Sequence, residues 1–182
     1  MNSDYDYEIE IVFTGAQQTG KSYTLNKIID RKNLGQIDLY MPTIGVDFVI
    51  KRIQVSVHNK IYNIKLKLCD MAGQERFKIV INVYYRNALG IFLFCNVCDL
   101  DSFKKCSALI EEIRENNKDN AIVMLVGNKI GTKRVVSVDE MVTFAQNNNI
   151  MFTELNTENG NSESSILERV IKCVIHQILE RK

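Results

Sequence analysis

Proline is nearly missing from this sequence: Pro42 is the one instance in 182 residues, which argues against long proline-stiffened linkers. An excess of charge of one sign is missing too. Lys and Arg number 23 against 22 Asp and Glu, a net charge of +1, so no strong pull toward nucleic acid or an anionic membrane is implied. No stretch approaches the roughly 18 unbroken apolar residues of a membrane span. The opening Met1-Asn2-Ser3-Asp4-Tyr5-Asp6 is polar and acidic, unlike a secretory signal. The five cysteines are odd in number and show no disulfide spacing, which predicts a reduced, cytosolic setting. Cys95-Asn96-Val97-Cys98 matches C-x-x-C, but it lies in an apolar run that reads as a strand. Residues three apart on a strand face opposite ways, so a shared metal or redox pair is not expected. The two histidines, His58 and His176, read as structural or solvated.

What is present is ordinary globular composition, 46% hydrophobic and 25% charged, enough for one domain spanning 1–182 with a sizeable core. Apolar runs alternate with amphipathic stretches. Strands are predicted at 8–14, 46–57, 61–69, 91–98, 121–127 and 150–155. Helices are predicted at 21–32, 102–117, near 138–147, and from about Ser165 to the end, where Ser165-x-x-Glu168 matches a capping box. Only His58, Asn59 and Lys60 separate the second and third strands, which predicts a hairpin adding one antiparallel edge strand. Continuous apolar strands alternating with helices imply an α/β fold, a mostly parallel sheet covered on both faces.

Three elements carry chemistry. Gly15-Ala16-Gln17-Gln18-Thr19-Gly20-Lys21-Ser22 matches G-x-x-x-x-G-K-[ST] in full, between a predicted strand and a predicted helix. Such a loop cradles phosphate oxygens on backbone N–H groups at a helix N-terminus, and the following Tyr23 belongs to the same first turn. Lys21 supplies a cation for terminal phosphates, and the Ser22 hydroxyl can coordinate magnesium. A chance glycine turn would match the spacing but not the strand before it and the helix after it. The second element is Asp70-Met71-Ala72-Gly73-Gln74-Glu75. A carboxylate ending a strand beside the phosphate loop suits a second magnesium contact, made through water. Gly73 allows close backbone approach to a γ-phosphate, and Gln74 is the candidate to orient an attacking water. Alone, Asp-x-x-Gly is often just a turn. The third is Thr43, in a polar stretch before the second strand, whose hydroxyl would reach magnesium when a γ-phosphate is bound. A lone Thr there also fits a plain strand start; the order of the three elements favours the joint reading.

These residues resemble the Rab family of small GTPases, within the Ras superfamily. Tyr5-Asp6-Tyr7, Ile44-Gly45-Val46-Asp47-Phe48, Lys65-Leu66-Lys67-Leu68, Gln74-Glu75-Arg76-Phe77, Tyr84-Tyr85-Arg86 and Gly127-Asn128-Lys129 carry the likeness over nearly the whole chain. The resemblance implies a Ras-like P-loop NTPase fold: a six-stranded, mostly parallel sheet with one antiparallel strand and about five helices. It implies GTP and GDP as ligands with Mg²⁺, held by Ser22, Thr43 and Asp70. It also implies base contacts from Asn128, Lys129 and Thr157. Partners would be an exchange factor, an activating protein and effectors of membrane traffic, engaged through 34–48 and 70–86.

The departures are informative. Gln17 and Gln18 stand where the family has small residues, and Gln18 is strained if that position needs φ > 0. The stretch between Ser22 and Thr43 is a few residues longer than usual and offers Leu34 and Ile37 in place of a base-packing aromatic. The base-reading N-K-x-D reads Asn128-Lys129-Ile130-Gly131, without its Asp, and Asn156-Thr157-Glu158 replaces S-A-K. Arg181-Lys182 ends the chain without the family's lipidated cysteines, and Cys173 matches no lipidation motif. A shortened chain, one part of a longer protein and a natural tail-less variant all remain open. Three functions follow: an atypical GTP/GDP switch in vesicle traffic with slow hydrolysis, a pseudo-GTPase scaffold with little or no nucleotide, and a P-loop enzyme using another nucleotide. The expected localisation is cytoplasmic, with no stable membrane binding by this chain alone.

Overall fold

The computed structural model describes residues 4–29, 37–43, 46–71, 78–117, 121–156 and 163–181. At its centre is Tyr7–Gly15 (β1), which pairs in parallel with Lys60–Met71 (β4) on one side and Gly90–Asn96 (β5) on the other. Beyond β5 lie Ile122–Asn128 (β6) and Met151–Leu155 (β7), both parallel. Beyond β4 lie Val46–Val57 (β3) and Ile37–Thr43 (β2), giving the order β2-β3-β4-β1-β5-β6-β7. β3 is antiparallel to both of its neighbours, so it alone runs against the rest.

The helices are Lys21–Ile29 (α1), Lys78–Asn87 (α2), Leu100–Asn116 (α3), Val138–Asn148 (α4) and Glu163–Glu180 (α5). Alternation along β1 distributes them. Ile9, Ile11 and Phe13 face a core shared with Leu25 of α1 and Ile171, Val174 and Ile175 of α5. Val12 faces the opposite layer, with Tyr85 and Ala88 from α2 and its following turn and Ile113 of α3. Farther along, Leu93, Cys95 and Leu125 pack on Cys106, Ile110, Met141 and Ala145 of α3 and α4. A strand buried on both faces reads as a continuous apolar run, which is why β5 and β6 were visible in the sequence.

Local chemistry sets the ends. His58 and Asn59 take φ of 48° and 63°, the left-handed pair that a two-residue hairpin turn requires between β3 and β4. Asp99 caps α3 by accepting from the Asp101 N–H, and Ser137 and Glu140 form a capping box on α4.

The Ras-like sheet and five helices expected from the resemblance are present, and the six predicted strands correspond to β1 and β3 to β7. The structure adds β2 as a seventh strand, so the β3–β4 hairpin is covered and β2 takes the edge. Pro42 fits there because an edge strand has ladder positions with no N–H to supply. β5 ends at Asn96, which leaves Cys98 in the following turn instead of on a strand face. α5 begins at Glu163, so Ser165 sits inside its first turn and not at the cap position expected. No helix among the described residues is long and apolar enough to cross a membrane.

Candidate nucleotide site

The phosphate loop joins β1 to α1, and its backbone dictates its glycines. Gly15 has φ 137°, and a Cβ there would lie 2.2 Å from the Phe94 carbonyl oxygen of β5. Gly20 has φ 86°, and a Cβ would lie 2.2 Å from Asn128 Nδ2. Gln18 takes φ 58°, so the strain foreseen for a side chain at this position is present. Gln17 and Gln18 are both exposed. Thr19 is buried and its hydroxyl donates to the Ala16 carbonyl at 2.9 Å, closing the loop on itself. No acidic residue occupies the first turn of α1, which leaves the positive end of the helix dipole open to an anion. Tyr23 follows in that turn with an exposed side chain.

Lys21 is buried, and Nζ donates to the carbonyls of Gly15, at 2.9 Å, and Ala16. Burial lowers its pKa to about 8, against a smaller opposing pull from Asp70. Ser22 Oγ donates to Asp70 Oδ2. Burial also raises the Asp70 pKa; the Ser22 bond and Lys21 oppose this, and Asp47 adds to it from the facing position of β3. The second Asp70 oxygen, Oδ1, is buried with no hydrogen-bond partner. An acceptor in that condition costs roughly 1–3 kcal/mol or more. A magnesium ion fits this donor set. Ser22 and Asp70 offer hard oxygens side by side, few protein ligands are needed, and the ion would stabilise the buried carboxylate.

Lys21, Ser22 and Asp70 are therefore brought together. Thr43 ends β2, paired with Val46 of β3. Gly73, Gln74 and Thr157 lie outside the described residues, as does Leu34. Ile37 opens β2.

The second half of the site is the loop after β6. Asn128 is fully buried, and its Nδ2 donates to the Thr19 carbonyl at 3.0 Å, tying this loop to the phosphate loop; its Oδ1 is buried without a partner. Lys129 is half-buried, and its backbone N–H donates to Leu155 of β7. Gly131, at the position of the missing Asp, has φ 116°. Asn96, which sequence reasoning did not single out, grips the loop. Its Nδ2 donates to the Ile130 carbonyl at 3.0 Å, and its Oδ1 accepts from the N–H groups of Cys98 and Ile130. The available signal was a carboxamide at the end of a buried apolar strand. Cys95 Sγ lies near the Val126 carbonyl and Met141 Sδ, while Cys98 Sγ approaches the Gly131 carbonyl at 3.5 Å.

The fold, the phosphate loop and the paired Ser22 and Asp70 define a P-loop nucleotide-binding protein of Ras-like architecture. The profile of the Ras family matches residues 10–176. The Ras-related protein RABD2b of Arabidopsis thaliana is 36% identical over 162 residues, covering 88% of this chain and 77% of its own. The GTP-binding protein YPTM2 of Zea mays is also 36% identical, over 88% and 76% of the two chains. The GTP-binding protein YPT1 of Saccharomyces cerevisiae is 35% identical over 92% and 79%. The chain belongs to the Rab family of small GTPases.

Proposed function

We propose that this protein is an atypical Rab-like switch that binds GTP and GDP with Mg²⁺ and hydrolyses GTP slowly. The observation that carries the reading is the Asp70 carboxylate, buried beside Ser22 with one oxygen unpartnered, next to a buried Lys21 cation. Two desolvated opposite charges, one with an unpartnered oxygen, are costly without a ligand and favourable around a magnesium-bound triphosphate. Names of relatives that include "GTP-binding protein" support the choice of ligand. In this reading Thr43, Gly73 and Gln74 sense the γ-phosphate, and segments 34–48 and 70–86 meet an exchange factor, an activating protein and effectors of vesicle traffic. The test is the nucleotide released on denaturing the purified protein, separated by chromatography. Recovery of GDP or GTP near one per chain supports the switch.

Gly131 favours a second reading, a scaffold that retains the fold and holds nucleotide weakly. A protein free of nucleotide after purification, with no heat of binding on addition of Mg²⁺ and GTP, would establish it.

Slow hydrolysis follows from Gln17 and Gln18 at the loop mouth, since this chemistry is mostly positioning of water and charge. Gln74→Leu is then expected to change single-turnover phosphate release little, while small residues at Gln17 and Gln18 raise it. A fast wild type strongly slowed by Gln74→Leu would refute this. Relief of the left-handed strain should also make Gln18→Gly more stable by up to about 1 kcal/mol, read as a raised denaturation midpoint. A lowered midpoint would count against the strain.

The purified 182-residue chain is expected to remain unbound to neutral or anionic vesicles at physiological salt. Its net charge is +1, and no lipidation motif occurs in it. Co-sedimentation with vesicles would overturn this.

A further inference from the structure

We infer that Asn96 is the positioning residue of the base-facing loop, and that its carboxamide controls how tightly the nucleoside part of a bound nucleotide is held. The inference rests on the reading of the protein as a nucleotide-binding switch.

Asn96 is the last residue of β5, and its own backbone is fixed. Its N–H donates to Ser102 Oγ at 2.9 Å, and its carbonyl accepts from the Asp99 N–H at 2.9 Å. Ser102 Oγ is also within donating distance of that carbonyl, at 3.1 Å. The residue is thus anchored on the first turn of α3, which Asp99 caps. From this anchor the side chain spans to Ile130, 34 residues along the chain. Its Nδ2 meets the one carbonyl, and its Oδ1 meets the two N–H groups, of Cys98 at 3.0 Å and Ile130 at 3.2 Å. Turning the carboxamide over would set oxygen against oxygen and N–H against N–H, so the arrangement is unambiguous.

Ile130 is held at both its N–H and its C=O, which fixes the peptide planes on either side of it. One follows Lys129 and the other leads into Gly131. Ile130 Cδ1 reaches the phosphate loop, 3.0 Å from where a Cβ on Gly20 would stand. Asn128 makes the second tie, to Thr19. Together these fix the base loop against the phosphate loop. No carboxylate side chain is available at Gly131, so the shape of this backbone and the placement of Asn128 and Lys129 carry the recognition that remains. A mobile loop would forfeit it, because ordering entropy would then be lost on each binding event.

Removal of the carboxamide should leave the phosphate half untouched, since Lys21, Ser22 and Asp70 are held by β1, α1 and β4. This separates positioning from a general structural role. The experiment is calorimetry on the full chain with Mg²⁺ plus GDP, and separately with Mg²⁺ plus inorganic tripolyphosphate, for wild type, Asn96→Ala and Asn96→Asp. Asn96→Ala is expected to weaken GDP about tenfold, the scale of one or two lost hydrogen bonds, and to change tripolyphosphate less than about twofold. Asn96→Asp keeps the acceptor for Cys98 and Ile130 but loses the donor to the Ile130 carbonyl, so it should fall between. Amide exchange at Cys98 and Ile130 should accelerate in Asn96→Ala, with the interior of β5 and β6 unchanged. If Asn96→Ala does not fold, Asn96→Asp carries the same comparison. Equal weakening of both ligands in Asn96→Ala, or a GDP affinity unchanged in that variant from a wild type that binds GDP, overturns the inference alone. A wild type that binds tripolyphosphate and GDP not at all overturns the switch reading and this inference with it.

Discussion

Lys21→Ala is expected to lower the affinity for Mg²⁺–GTP by about 3 kcal/mol or more, on the order of a hundredfold, because a charge-assisted contact to the terminal phosphates is lost. Ser22→Asn should produce a loss of similar scale by displacing magnesium from the Ser22 and Asp70 pair. Calorimetry with Mg²⁺ on both variants is the check, and unchanged affinity in both would remove the phosphate-site assignment. The structure adds a consequence in the opposite direction. A buried lysine whose pKa lies near 8 is partly destabilising while charged, so the nucleotide-free protein carries a strain that the ligand relieves.

The sign of the pH dependence follows. In the window from about 8 to 10.5 the unfolded chain holds the Lys21 proton and the nucleotide-free native chain does not, so stability should rise with pH across it. Lys21→Met should flatten that rise, as measured by urea denaturation at several pH values. Phosphate binding favours the charged lysine, so the affinity for GTP should fall as pH climbs above about 8. An affinity unchanged over that range would show that Lys21 stays charged without ligand.

The sequence made some of this site visible and hid the rest for physical reasons. The phosphate loop was legible because its backbone leaves no room for a Cβ at Gly15 or Gly20, so the glycines and their spacing are compulsory. Asp70 was legible because it stands near the C-terminal end of an alternating strand, where ligands gather. β2 was not. Asp38 and Pro42 break up its apolar residues, and its pairing with β3 comes from the neighbouring strand more than from its own composition. The Asn96 clamp was hidden because a single carboxamide has no pattern, and its partner lies 34 residues away. The depressed pKa of Lys21 follows from burial among Gly15, Ala16 and Thr19, which only the folded loop creates.

Selectivity for the base should be low, with GTP preferred over ATP or xanthosine triphosphate by roughly tenfold to a hundredfold and bound more weakly than an intact base site would allow. Guanine presents N1–H and an exocyclic amine, and a carboxylate that accepts from both is the strongest discriminating contact available. Gly131 has no side chain to provide one. Three described carboxylates of the flanking elements are committed: Asp99 caps α3, Glu154 pairs with Arg134 at 2.7 Å, and Glu140 closes the capping box of α4. Asp139 sits in the first turn of that helix, beyond the segment that Arg134 pins through Glu154 and the Val136 carbonyl. A base site discriminates strongly when a wrong base leaves buried polar groups unpaired, so without the protein's half of the pair the penalty for the wrong base shrinks. Asn128, with a buried unpartnered Oδ1, and Lys129 are expected to retain part of the preference. Competition binding against the four common triphosphates measures it. Gly131→Asp should raise the preference for GTP, but by less than a carboxylate contact is worth, because φ 116° is a conformation that side chains resist. A wild-type preference of many thousandfold would mean that another residue supplies the missing acceptor.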